Sequence, residues 1–236
     1  MFSHSGKSRT LQHNLGIASL LSFVAGLVNV AGFLAVQKLT TNVTGHFAFF
    51  VDEIFKLNFR GGLIYFLYIF FFFLGSFSSS VLVEYVSRRN EKLVYRIPVI
   101  IESLILLSVA VFGSQMITAA ADLLAFLLLF AMGLQNSLVT SISSSAVRTT
   151  HLTGLFTDLG IELSQLFFYK LPEQRQRLLS SIKLRLTIIV FFFIGGIIGG
   201  VLYAPMGLMV LLIAVVILIG GLVYDNLKLK RSSTTQ

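Results

Sequence analysis

Two asparagines and two threonine-rich segments carry most of the polar chemistry in an otherwise apolar chain. Asn29 closes the string Gly26-Leu27-Val28-Asn29, and Asn136 closes Gly133-Leu134-Gln135-Asn136, each inside a long apolar run. An amide in hydrocarbon must find hydrogen-bond partners or cost a few kcal/mol. It serves there either as glue between helices or as a ligand for a solute near the bilayer midplane. Gln135 adds a second amide, although neighbouring helix positions point about 100° apart. Downstream of each amide lies a related segment, Thr40-Thr41-Asn42-Val43-Thr44-Gly45 and Thr149-Thr150-His151-Leu152-Thr153-Gly154. Arg148 precedes the second segment, and Asp158 and Glu162 follow it. An arginine beside the free N–H groups of a helix start makes an anion site. The same arginine could pair with Asp158, or simply mark a cytoplasmic loop. His46, after the first Thr-Gly, is either a satisfied polar residue or a proton relay. The candidate substrate-binding set is therefore Asn29, Thr41, Thr44, Gly45, His46, Gln135, Asn136, Arg148, Thr150, Thr153, Gly154 and Asp158.

These residues must be held by membrane helices. The chain has 236 residues, of which 56% are hydrophobic and only 12% charged, and its mean hydropathy is +0.88. A soluble domain carries about 25% charged residues, so an ordinary soluble enzyme and a disordered chain are both excluded. With no cysteine there is no disulfide or thiolate chemistry. Four histidines without cysteine make a buried metal site a poor expectation. No Walker loop or nucleophile–base arrangement is present, so neither an enzyme nor a cofactor is expected.

Apolar runs at 15–36, 61–83, 97–114, 122–142, 186–203 and 205–224 are each long enough to span a bilayer as a helix. The run at 97–114 carries Glu102, six residues past Arg96 and expected to reach headgroups or pair with it. With the N-terminus inside, 15 of the 18 Lys and Arg fall on the cytoplasmic side. Lys38, Lys56 and Arg60 make up the outer 3. This bias predicts that both termini are cytoplasmic, and it explains the net charge of +8 without a nucleic acid.

The chain also repeats itself. The Gly-Leu-x-Asn strings are offset by 107, the Thr-Gly segments by 109, and Phe71-Phe72-Phe73-Leu74-Gly75 and Phe191-Phe192-Phe193-Ile194-Gly195 by 120. Three spans per copy is an odd number, so the second copy must insert upside down, as in many secondary transporters. The expected organisation is a cytoplasmic tail at 1–14, a first three-helix repeat at 15–114, a second at 115–225 and a basic cytoplasmic tail at 226–236. Small residues at helical spacing (Gly75/Ser79, Ser76/Ser80, Gly195/Gly199, Gly196/Gly200) are expected to pack spans closely, within the chain or between copies. The loops at 37–60 and 143–185 cannot span regularly. Either each carries a helix on the membrane surface, with Thr44 and Thr153 as N-caps, or each Thr-Gly turn re-enters the bundle and lines a polar cavity.

The stretch Gly133 to Gly160, with GLQNS and VRTTHLTGLFTDLG, resembles the YoaK family of bacterial inner-membrane proteins, a domain of unknown function. Gly26 to Gly45 resembles it more loosely: Asn29-Val30 stands where the family usually has Asp-Ala, and Thr44-Gly45-His46 where it has Thr-Gly-Asn. The resemblance implies a permease-like protein of the bacterial inner membrane. Residues and resemblance together lead to an all-α integral membrane protein. Its six spans form two inverted three-helix repeats that pass a small molecule between them by alternating access. A channel with the same lining, or a scaffold that transports nothing, would share these features.

Overall fold

Backbone N–H and C=O groups have no water to bond in hydrocarbon, so a chain this apolar closes its hydrogen bonds within helices. The computed structural model describes residues 11–88, 94–142 and 149–233. Its helices are α1 (Leu11–Val36), α2 (Thr44–Phe55), α3 (Phe59–Ser87), α4 (Arg96–Ala119), α5 (Ala121–Ile142), α6 (Leu152–Phe168), α7 (Pro172–Met206) and α8 (Leu211–Ser233). Asn58 starts α3 by accepting a hydrogen bond from the Gly61 N–H at 3.2 Å, the usual N-cap geometry. Pro172 opens α7, where its missing N–H costs nothing. Pro205 and Gly207 end it; Gly207 has φ +56°, which an L side chain resists. A 3-10 turn, Gly207–Val210, then leads into α8.

Among the described residues, five stretches are long and apolar enough to cross a membrane: Leu11–Val36, Phe59–Ser87, Arg96–Ala119, Ala121–Ser141 and Pro172–Leu227. The last is 56 residues long and holds both α7 and α8. The boundary expected at 204 falls instead at the 3-10 turn, and α7 begins fourteen positions before the apolar run at 186. Its early turns are polar and largely exposed, so the helix outruns its apolar section.

Helix packing rests on glycines. A Cβ at Gly26 would stand 2.0 Å from the carbonyl oxygen of Phe192, and one at Gly195 would stand 2.1 Å from that of Phe23. So α1 and α7 touch backbone to backbone. The pair α3 and α5 does the same: a Cβ at Gly75 would meet the Phe130 oxygen at 2.0 Å, and one at Gly133 the Phe72 oxygen at 2.1 Å. Ser76 adds a hydrogen bond to the Gly133 oxygen at 3.0 Å. The small-residue faces are thus taken up inside the chain, and contact between copies would need another surface. In addition, α4 packs on α5 and α8, α8 on α1, and α1 on α5. One apolar core joins α1, α4, α5, α7 and α8. Phe66, Phe70, Phe73 and Phe77 of α3 point outward. So do Leu186, Val190, Phe193 and Ile197, at the same offset of 120 on α7. Apolar stripes of this kind suit lipid.

The short helices α2 and α6 pack against α3 and α7. Twelve and 17 residues reach only about 18 and 26 Å at 1.5 Å each, less than the roughly 30 Å of a bilayer core. Phe47, Phe49, Phe55, Phe156, Ile161 and Phe167 are exposed on them.

Candidate functional site

Each Thr segment is clasped to the amide of the helix before it. Thr41 Oγ1 donates to Asn29 Oδ1 at 2.7 Å, and Thr40 reaches the Val28 carbonyl at 3.5 Å. In the second copy Asn136 Nδ2 donates to Thr150 Oγ1 at 2.7 Å, and Thr149 Oγ1 donates back to Asn136 Oδ1 at 3.2 Å. The two asparagines therefore fix the loops that follow their own helices. Neither Thr44 nor Thr153 caps a helix: α2 and α6 begin without a side-chain cap, from Val43 and His151. Gly45 and Gly154 sit close under movable side chains. A Cβ there would lie 2.4 Å from Leu39 Cδ1 and 2.5 Å from His151 Nδ1 respectively.

Both loops line one cavity of about 260 Å³. Thr41, Asn42, Val43 and Thr44 come from the first segment, Thr150 and His151 from the second. Asn136 and Thr140 of α5 and Phe72 of α3 complete the wall. Thr41 is buried, whereas Thr44 and His151 are exposed, so the lining runs from the interior to an opening. The starts of α2 and α6 both lie at this cavity, and a helix start presents unpaired N–H groups and partial positive charge. A hollow of about 380 Å³ at Gln165, Tyr169, Arg177 and Ser181 carries none of the paired residues.

Of the expected set, Thr41, Thr44, Asn136 and Thr150 meet at the cavity, and Asn29 stands one bond behind it. Gly45, Thr153 and Gly154 form the first turns of α2 and α6. Gln135 points elsewhere, donating to the Leu21 carbonyl of α1 at 2.7 Å. Asp158 is held by Arg185 at 2.8 Å, and Arg185 also bonds Glu162 at 2.9 Å, tying α6 to α7. Arg148 lies outside the described residues.

His46 is buried away from the cavity wall, its Nε2 2.5 Å from the Leu39 carbonyl and its Nδ1 without a partner among the described residues. Its ring lies 4.7 Å from that of Tyr68, whose hydroxyl donates to Asp122. Lys38 bonds the Tyr65 hydroxyl at 3.2 Å alongside. Nothing in the sequence announces this group, because Tyr68 and Asp122 are 54 residues apart and belong to no motif. Asn42 and His151 were legible, being the equivalent polar residues of the two segments. At the end of α2, Lys56 bonds Asp52 at 2.5 Å, and that hydrogen bond holds its ammonium above the usual lysine range.

Apolar helices around a polar pocket between two short helices define a multi-pass membrane protein. The chain belongs to the DUF1275 family, proteins of unknown function, whose family profile matches residues 17–224. No curated protein matches it, and no solved structure does.

Proposed function

We propose that the protein is a membrane permease, not an enzyme, and that the 260 Å³ cavity is its substrate site. The observation that carries this reading is that segments 109 residues apart in sequence line one cavity. Helices lying on opposite membrane surfaces could not do so, and so the loops re-enter the bundle from opposite sides. Six spans in two inverted repeats account for the reciprocal contacts, α1 on α7 and α3 on α5, with matching glycine–phenylalanine approaches. Both termini face the cytoplasm, as the charge bias requires. The proposed setting is the bacterial inner membrane, a reading supported by the likeness of 133–160 to the YoaK family. Rocking one repeat against the other opens the cavity to each side in turn.

The substrate is small, because the cavity falls just below the usual range for drug-sized ligands, about 300–1,000 Å³. It is polar, and the converging helix starts favour an anionic group. A thermal-shift screen of the purified protein against small metabolites tests this, since a ligand that binds only the folded state raises its melting temperature. The expected hit is a small anion whose effect is lost in Thr44→Val and Thr150→Val. A hit that survives both changes would place the site elsewhere.

A further inference from the structure

Glu102 is fully buried on α4, and neither carboxyl oxygen has a hydrogen-bond partner among the described residues. It makes no bond to Arg96 and is closed off from the protein surface, contrary to the expectation from sequence. Its helix separates two faces cleanly. Ile100, Leu104, Leu107 and Val111 are exposed, while Val99, Ser103, Leu106 and Val109 are buried with Glu102. The buried face meets α5, α8 and the 3-10 turn. A Cβ at Gly113 on that face would touch Leu208 Cδ1 at 2.5 Å and Leu124 Cδ1 at 3.5 Å. Among the described residues no ionisable group bonds Glu102. Asp122 of α5 is bonded by Tyr68, some 27 Å further along by helix rise. Glu84 and Tyr85 of α3, Tyr224 and Asp225 of α8, and Arg96 on α4 itself make no hydrogen bond to it.

A charged carboxylate in that setting costs several kcal/mol, and the neutral acid far less. Packing alone does not call for an acid, because a leucine would fill the site without that cost. The site lies where one proposed repeat meets the other, the interface that alternating access must open.

We propose that Glu102 is a proton-binding site of the transport cycle: it holds a proton while the α4 interface is closed and exchanges it when the interface opens. This rests on the permease reading for its role in transport, but proton binding can be tested without a substrate.

The probe is a hydrophobic carbodiimide, added to the full chain in liposomes and followed by peptide mass spectrometry. Such a reagent attacks carboxylic acids in their protonated form. The acid O–H proton moves to one nitrogen, the oxygen bonds the central carbon, one C=N bond becomes single, and acyl transfer to the other nitrogen fixes the adduct with no atom lost. The expected result is an adduct on Glu102 at neutral pH, absent in Glu102→Gln. Its rate should fall about tenfold per pH unit once the acid form becomes the minor species. The exposed Glu173, and the half-buried Glu53 whose carboxylate accepts from Asn58, should stay unmodified at neutral pH. A Glu102 that reacts only after denaturation, or at a rate independent of pH, overturns the proposal. Melting provides a second readout. Because the folded state binds the extra proton, stability should fall with rising pH more steeply in the parent than in Glu102→Gln, and equal slopes would also overturn it. The two readings separate cleanly. An adduct on Glu102 together with a ligand hit that survives Thr44→Val and Thr150→Val keeps proton binding and removes the cavity as the permease site, and a hit lost in both variants without an adduct does the reverse.

Discussion

Asn136 shows how a single amide can organise a loop. It bonds Thr149 and Thr150 on one side and the Met132 carbonyl on the other, so that a 14-residue excursion returns to its own helix. Asn136→Leu should therefore destabilise the protein by about 1–3 kcal/mol, the cost of leaving buried partners unmet. Thr150→Val removes the same bond from the other end. The double change should depart from additivity by about 0.5–3 kcal/mol in thermal unfolding; additive losses would mean that the two do not share an interaction. Tyr68→Phe should cost more than Asp122→Asn, because the amide oxygen of asparagine can still accept the tyrosine proton; equal losses in melting temperature would rule out that bond as the stabilising contact. At this scale the sequence was informative where a residue had a duplicate. Asn29 and Asn136, Thr41 and Thr150, and Asn42 and His151 could all be paired by offset. Gln135 and Asp158 had no duplicate to restrain them. The structure gives them to helix contacts, with Leu21 and with Arg185, which depend on partners distant in sequence.

Between elements, close backbone approach decides the packing. Gly26, Gly75, Gly133 and Gly195 each leave no room for a methyl group, since the obstacle is a carbonyl oxygen of the facing helix rather than a movable side chain. Gly26→Ala or Gly133→Ala should cost about 1–3 kcal/mol or more through overpacking. Gly220→Ala should cost little, because nothing lies within 4 Å of its Cβ position. Detergent melting curves of the three variants would show whether those approaches hold the bundle together; indistinguishable curves would contradict it. The glycine spacing was legible, and so were the apolar runs. Partner choice was not, because a small-residue face does not name the helix that fills it. Helix ends were also hidden. Apolarity marks where lipid contact stops, whereas α7 continues until Pro205 and Gly207 break it. The same docking contact also takes two chemistries. Arg185 of α7 bridges Asp158 and Glu162 of α6. At the equivalent place Tyr65 of α3 stacks on Phe49 of α2, with ring centroids 5.2 Å apart.

The proposed duplication implies one orientation for the whole molecule, which has a direct test in a chain with no native cysteine. Thr118→Cys, exposed at the end of α4, should react with an impermeant thiol reagent added outside cells, and Asn90→Cys should not. The reverse pattern would turn the protein over. The duplication was readable as offsets of 107, 109 and 120, but whether its two polar loops lie apart on opposite surfaces or meet inside was not, since amphipathicity alone fits both. Cross-linking tests whether the two loops meet. Thr44→Cys and Thr150→Cys, combined in one chain in native membranes, place near-isosteric thiols on the wall of the 260 Å³ cavity. A short bifunctional thiol reagent should join them within one molecule. If the loops instead lay on opposite surfaces, some 30 Å of hydrocarbon would separate the thiols. Two thiols that each react singly yet never become joined would contradict the shared site.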